Sequence, residues 1–137
     1  MAICRYFELL NPEPALFGKT ELEQALIDMQ SRRMELELMM SVAGTFRHTH
    51  PAFSKLENQM PEYGEVQKKA AERRLRLLDR ELKEREFIAG PTYSVADITA
   101  LCAIDFCAPA KIEIPESLGN LNRWIKDIKR RPSSEIM

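Results

Sequence analysis

Residues 87–100 read FIAGPTYSVADITA, and the fold turns on this stretch. Gly90-Pro91 breaks whatever helix precedes it, because proline removes a backbone donor and restricts the residue before it. Ser94 then stands three positions ahead of Asp97. That is the spacing of a capping box, in which each side chain satisfies a backbone N–H at a helix start. As a simple cap, Asp97→Ala would cost ~0.5–2 kcal/mol. The helix so opened, from Val95 to about Ala108, is apolar nearly all round, which predicts the central, most buried element.

The chain on either side reads as more helix. Upstream, Pro61 suits a first-turn position, and VQKKAAERRLRLLDRELKERE continues from it. Val66, Ala70, Leu77, Leu78 and Leu82 are expected inside, with the Glu and Arg residues making the outer face. Before that, T-E-L-E pairs Thr20 with Glu23 in another capping box. Leu22, Leu26, Met29, Leu36, Met40 and Ala43 then give one helical stripe, and Ile27, Met34 and Leu38 a second row. This helix should run about 25 residues, or ~37 Å, to Gly44 and the HTHP segment. Its two apolar rows predict burial on two sides, against its own domain and against something else. The opening MAICRYFELL, with Ile3, Tyr6, Phe7 and Leu10 at helical spacing, is a short helix stopped by NPEP. Residues 11–19 follow as a connector with a turn at Gly18. Downstream, a last amphipathic helix from about Ser117 carries Leu118, Leu121, Trp124, Ile125 and Ile128 and ends at Arg131-Pro132. Apart from the short KIEIP, no run alternates with period two, so the fold class is all-α.

Composition narrows the function classes. A chain of 137 residues with 45% apolar and 30% charged side chains is one domain's worth of ordinary globular sequence. Its net charge of −1 provides no global field for nucleic acid or an anionic membrane. The greasiest segment, residues 98–110, is interrupted by Thr99, Asp105 and Pro109 and falls short of the ~18 residues a membrane span needs. The N-terminus shows no signal-peptide pattern. Three cysteines, Cys4, Cys102 and Cys107, form no CxxC motif and point to a reducing compartment, so a cytoplasmic location is expected.

The motifs taken together resemble the C-terminal domain of glutathione transferases. Gly90, Tyr93, Ser94, Ala96 and Asp97 match that family's G-x-x-[FY]-[ST]-x-A-D folding motif. MAICRYFELLNPEPALFG looks like the last helix of the thioredoxin-like N-terminal domain plus the interdomain linker. ELEQALIDMQSRRMELELMM…FRHTHP and LNRWIKDIKRRPS are similar to the first and last helices of bacterial members. The resemblance implies residues 1–18 as a remnant helix with its linker and residues 19–137 as the helical domain. It also implies that the intact parent conjugates or reduces electrophiles with glutathione as co-substrate. This domain would then supply the hydrophobic acceptor site and much of the dimer interface. The family's thiol-activating residue and its Glu-Ser pair lie in the thioredoxin-like half, and no position here matches them. The 137 residues are therefore expected to bind no cofactor, to carry no catalytic residue and to be inactive alone. Ile3, Phe7 and Leu10, together with the upper face of the buried helix, would leave an apolar patch that favours self-association. The alternative is a transferase-like helical protein-interaction module without catalysis.

Four residues are candidates for contact with the acceptor substrate: Arg33, Met34, Glu37 and Phe106. Arg33 and Glu37 are four apart, so an i,i+4 ion pair on a solvated edge is the other reading. Met34, Met39 and Met40 offer a soft surface for apolar substrates, with core or dimer packing as the alternative. His48 and His50 are too few for a metal site and read as an ordinary loop. Asp105, on the apolar helix, needs a nearby Arg or Lys, a structural partner such as Lys111 or an arginine of the first long helix, with a substrate contact as the alternative. Cys102 and Cys107 read as small core residues. The run RRLRLLDR lacks aromatics and reads as a solvated helix face rather than a nucleic-acid patch.

Overall fold

The protein is described here by a computed structural model covering residues 1–136, with side chains described through Ser134. Its helices are α1 (Ala2–Leu10), α2 (Glu21–Arg33), α3 (Met40–Thr49), α4 (Pro61–Glu81), α5 (Val95–Asp105) and α6 (Gly119–Lys129). A π-helical turn, Met34–Met39, joins α2 to α3, so the three run as one long rod. No strand occurs among the described residues, KIEIP included.

The rod extends past Gly44, which lies inside α3, and stops where His50 turns extended before Pro51. Proline, not glycine, ends it. α4 starts as expected, with Pro61 in its first turn. It closes at Glu81, earlier than the sequence predicts, and residues 82–93 are irregular. α3 and α4 lie close along each other at Gly64, where a Cβ would stand 2.5 Å from Thr49 Cγ2.

α5 is the central element. Val95, Ala96, Asp97, Ala100, Leu101, Ala103 and Ile104 are all buried. α2 and the π turn pack against it, and α6 covers its start with Trp124. Of the two apolar rows on the long rod, Ile27, Met34 and Leu38 are the core row. Leu22, Leu26, Met29, Leu36 and Met40 face solvent. On α4 the buried residues are Gly64, Ala71, Arg74, Leu75 and Leu78, with Leu82 just beyond; Val66 and Leu77 point outward. Leu78 and Leu82 thus face inward as expected while Val66 and Leu77 do not, and Arg74 belongs to the interior rather than to a solvated face.

Ser94 and Asp97 do more than cap α5. Asp97 Oδ2 accepts from the Ser94 backbone N–H at 2.9 Å and from its hydroxyl at 3.2 Å. Oδ1 accepts from the Ile88 N–H at 2.9 Å and from Trp124 Nε1 at 3.0 Å. One fully buried carboxylate thus ties the irregular 82–93 segment, α5 and α6 together. Burial pushes its pKa above the ordinary value, while the bonds from Ile88, Trp124 and Ser94 pull the other way.

α4 and α6 cap each other across the fold. Leu118 has no side chain to cap α6, and Asp79 of α4 accepts from the Leu121 N–H at 2.9 Å instead. In return Arg123 donates to the carbonyls of Leu82, just past the end of α4, and of Arg85 in the irregular segment that follows, at 3.0 and 3.1 Å.

Candidate functional site

α1 stands off the bundle with no buried residue. Glu8 holds the connector to it by accepting from the N–H groups of Leu16 and Phe17 at 2.9 and 3.0 Å. Arg5 reaches Asp28 of α2 at 3.2 Å and lies over the Phe17 ring. The connector in turn hooks α5, because Leu16 O accepts from the Val95 N–H at 3.0 Å.

This arrangement leaves a groove of about 690 Å³. One wall is α1 and the connector, with Cys4, Phe7, Pro14 and Phe17; the other is the π turn and α5, with Glu35, Met39, Val95, Ile98, Thr99 and Cys102. The surface is overwhelmingly apolar, and its volume falls in the range of small-molecule sites, roughly 300–1,000 Å³. Its acids are already engaged: Glu35 pairs with Arg32 at 2.7 Å, Glu13 with Lys19 at 3.0 Å, and Glu8 with the connector. Burial, followed by the charge of Asp105, raises the Cys102 pKa. The same two causes push Cys107 up to about 12. A nucleophilic thiol needs the opposite shift. The groove's walls are thus apolar, and its acidic side chains are paired.

None of the four candidate contacts lines this groove. Met34 is fully buried in the core and has no surface to offer a ligand. Arg33 and Glu37 do pair, at 3.5 Å, but they face α4. There Arg33 Nη2 reaches Glu81 at 3.1 Å, and Arg74 bonds Glu81 at 3.1 Å and stands 3.1 Å from Glu37. Desolvation opposes ionisation of Glu81, yet Arg74 and Arg33 outweigh it and hold its pKa below the ordinary value. Phe106, at the end of α5, packs on Phe46 with ring centres 5.1 Å apart. Of the three methionines, Met39 lines the groove and Met40 is exposed.

The remaining singled-out residues have structural partners. His50 Nδ1 accepts from the Ala52 N–H and His48 Nδ1 from the Met60 N–H, each at 3.2 Å, which fastens the loop after α3. Asp105 pairs with Lys129 of α6 at 2.6 Å, not with Lys111 or the first long helix. It is half-exposed, because α5 ends there. Cys107 is buried, whereas Cys102 borders the groove. Missing from the sequence reading were Glu35, Ile98 and Cys102 as wall residues. Ile98 and Cys102, four apart on α5, carried the one periodic signal that could have found them.

Residues 37–132 match the family described as "Glutathione S-transferase, C-terminal domain". "Glutathione S-transferase 2" of Saccharomyces cerevisiae is 37% identical over 134 residues, 96% of this chain and 58% of the relative. The crystal structure of Gtt2 from the same yeast superposes with a TM-score of 0.91 at 36% identity, over 98% of this chain and 65% of that one. A Gtt2-class transferase of Vibrio parahaemolyticus gives 0.85 at 32% identity, over 97% and 63%. The chain thus spans about three-fifths of the length of these relatives. No helix among the described residues is long and apolar enough to cross a membrane. With a family match across most of its length and the fold of its relatives, the chain belongs to the glutathione S-transferase family, as its C-terminal helical domain.

Proposed function

We propose that this chain is the acceptor-substrate and dimerisation domain of a glutathione transferase acting in the cytoplasm. Residues 1–18 would then be the end of the thioredoxin-like half with its linker, and residues 19–137 the helical domain. The groove between α1 and α5 carries this reading. It is large enough for a small electrophile, and its walls are apolar. Its acids are already paired, so it selects an apolar acceptor without supplying a charge of its own. On this reading activation of glutathione falls to the thioredoxin-like half, which lies outside these 137 residues. The solvent-facing row Leu22, Leu26, Met29, Leu36 and Met40 supports pairing with a second copy, as does the open apolar face of α1.

The test mixes the purified 137-residue chain with glutathione and a chromogenic electrophile, with and without fusion to a thioredoxin-like half from a relative. The chain alone should show only the buffer rate, and the fusion should turn over. Ile98→Asp in the fusion should raise the KM for the electrophile and leave that for glutathione unchanged. Turnover by the chain alone, or an unchanged electrophile KM, would refute the proposal.

A further inference from the structure

The HTHP segment at the end of α3 takes no part in the groove, yet both of its histidines are engaged through the same ring atom. His50 Nδ1 accepts from the Ala52 N–H and so caps the short 3-10 turn Pro51–Phe53. His48 Nδ1 accepts from the N–H of Met60, the residue before α4. The two bonds therefore fasten the two ends of the loop between α3 and α4. A ring nitrogen accepts only while it carries no proton, so each bond requires a neutral imidazole with its hydrogen on Nε2. Protonation would turn each acceptor into a donor aimed at another donor. An ordinary imidazole makes that change around pH 6.5.

The other attachments of this loop do not titrate in that range. Gln59 Nε2 donates to the carbonyls of Arg47 and His50 at 2.8 and 2.9 Å, and Arg47 Nε donates to Glu57 at 3.0 Å. Beside His50 stand Glu65 and Lys68 of α4 and Lys111 of the segment after α5. Beside His48 stands Tyr63 of α4, its ring edge-on at 5.0 Å. Among the described residues no carboxylate pairs with either imidazole, so no ion pair waits to hold a protonated ring in place. The fastened segment also covers an aromatic cluster. Phe46 of α3 has His50 stacked on it at 4.3 Å and Phe53 edge-on at 5.5 Å, and it touches Phe106 at the end of α5.

We propose that His48 and His50 form a pH-sensitive latch on the loop between α3 and α4, closed while both rings are neutral and released when they are protonated. Release loosens the loop without detaching it, because Gln59 still holds the end of α3. It uncovers Phe46 from the side that His50 and Phe53 occupy.

Amide exchange of the whole chain tests it, followed by NMR at about pH 7.5 and about pH 5.5 and corrected for the intrinsic rate. Protection of the Ala52 and Met60 amides should fall by about tenfold at the lower pH, while the amides of α6 keep theirs. Asparagine offers a side-chain carbonyl close to the position of Nδ1, is favoured at such a cap and does not titrate. His50→Asn should therefore abolish the pH response at Ala52 and leave that at Met60, and His48→Asn should do the reverse. The readout is the ratio of one amide's protection between the two pH values, so it holds even in a variant whose loop is looser at both. An unchanged ratio in the natural chain, an equal fall across α6, or a response at Ala52 that survives His50→Asn would overturn the proposal.

Discussion

At the start of α2, Thr20 and Glu23 cap each other's backbone in open solvent. At the start of α5, Ser94 and Asp97 do the same with no exposure at all. The exposed box serves one helix end. Glu23 accepts from Thr20 N and Lys19 N at 3.2 and 2.9 Å, and nothing distant depends on it. In the buried box the same geometry also receives Ile88 and Trp124, so one carboxylate organises three segments. A capping signature reports a helix start. Burial decides whether it also holds the tertiary fold.

The energies should separate accordingly. Asp97→Ala strands the Ile88 N–H, Trp124 Nε1 and the Ser94 donors in the interior, and should lower stability by about 3–5 kcal/mol in denaturant unfolding. That exceeds the ~0.5–2 kcal/mol of an ordinary cap. A loss confined to the ordinary range would make the two boxes equivalent.

Their pH dependence should differ in sign. Hydrogen bonds from Lys19 and Thr20 lower the Glu23 pKa. Its contribution is therefore complete above the ordinary glutamate value, about 4.3, and is lost as pH falls through the lower folded value. Burial raises that of Asp97. The folded state then holds its proton longer than the unfolded chain, and stability falls as pH rises from about 3.9 through the raised value. Between about pH 3 and 6, Glu23→Gln should remove a rising component from the stability curve and Asp97→Asn a falling one. Curves that change in the same direction would contradict the assignment.

The smallest effect belongs to Thr20→Ala, about 1 kcal/mol, with the unfolding slope unchanged. A loss as large as that of Asp97→Ala would show that the α2 start also anchors a distant part of the fold.

Much of this was legible in the sequence, for local reasons. Caps and prolines act over three or four residues, so both boxes, Pro61, Arg131-Pro132 and the apolar α5 could be read directly. Asp97's further partners could not, because Ile88 and Trp124 lie 9 and 27 residues away. Arg74 was misplaced because a charged residue among charged neighbours reads as surface. Only the facing Glu37 and Glu81 make its burial tolerable. The π turn has no local signature, yet it changes which side chains of the rod face the groove. Arg33 and Glu37 pair as their spacing predicts, and they turn to α4 while Glu35 and Met39 meet the groove. A groove assembled from α1, the connector and α5 is a long-range product, beyond any single periodicity.

On the proposed function these helices receive an acceptor while glutathione is handled elsewhere. Isothermal titration of glutathione into the 137-residue chain tests it most directly. No stoichiometric heat should appear at millimolar tripeptide; tight one-to-one uptake would refute the proposed function.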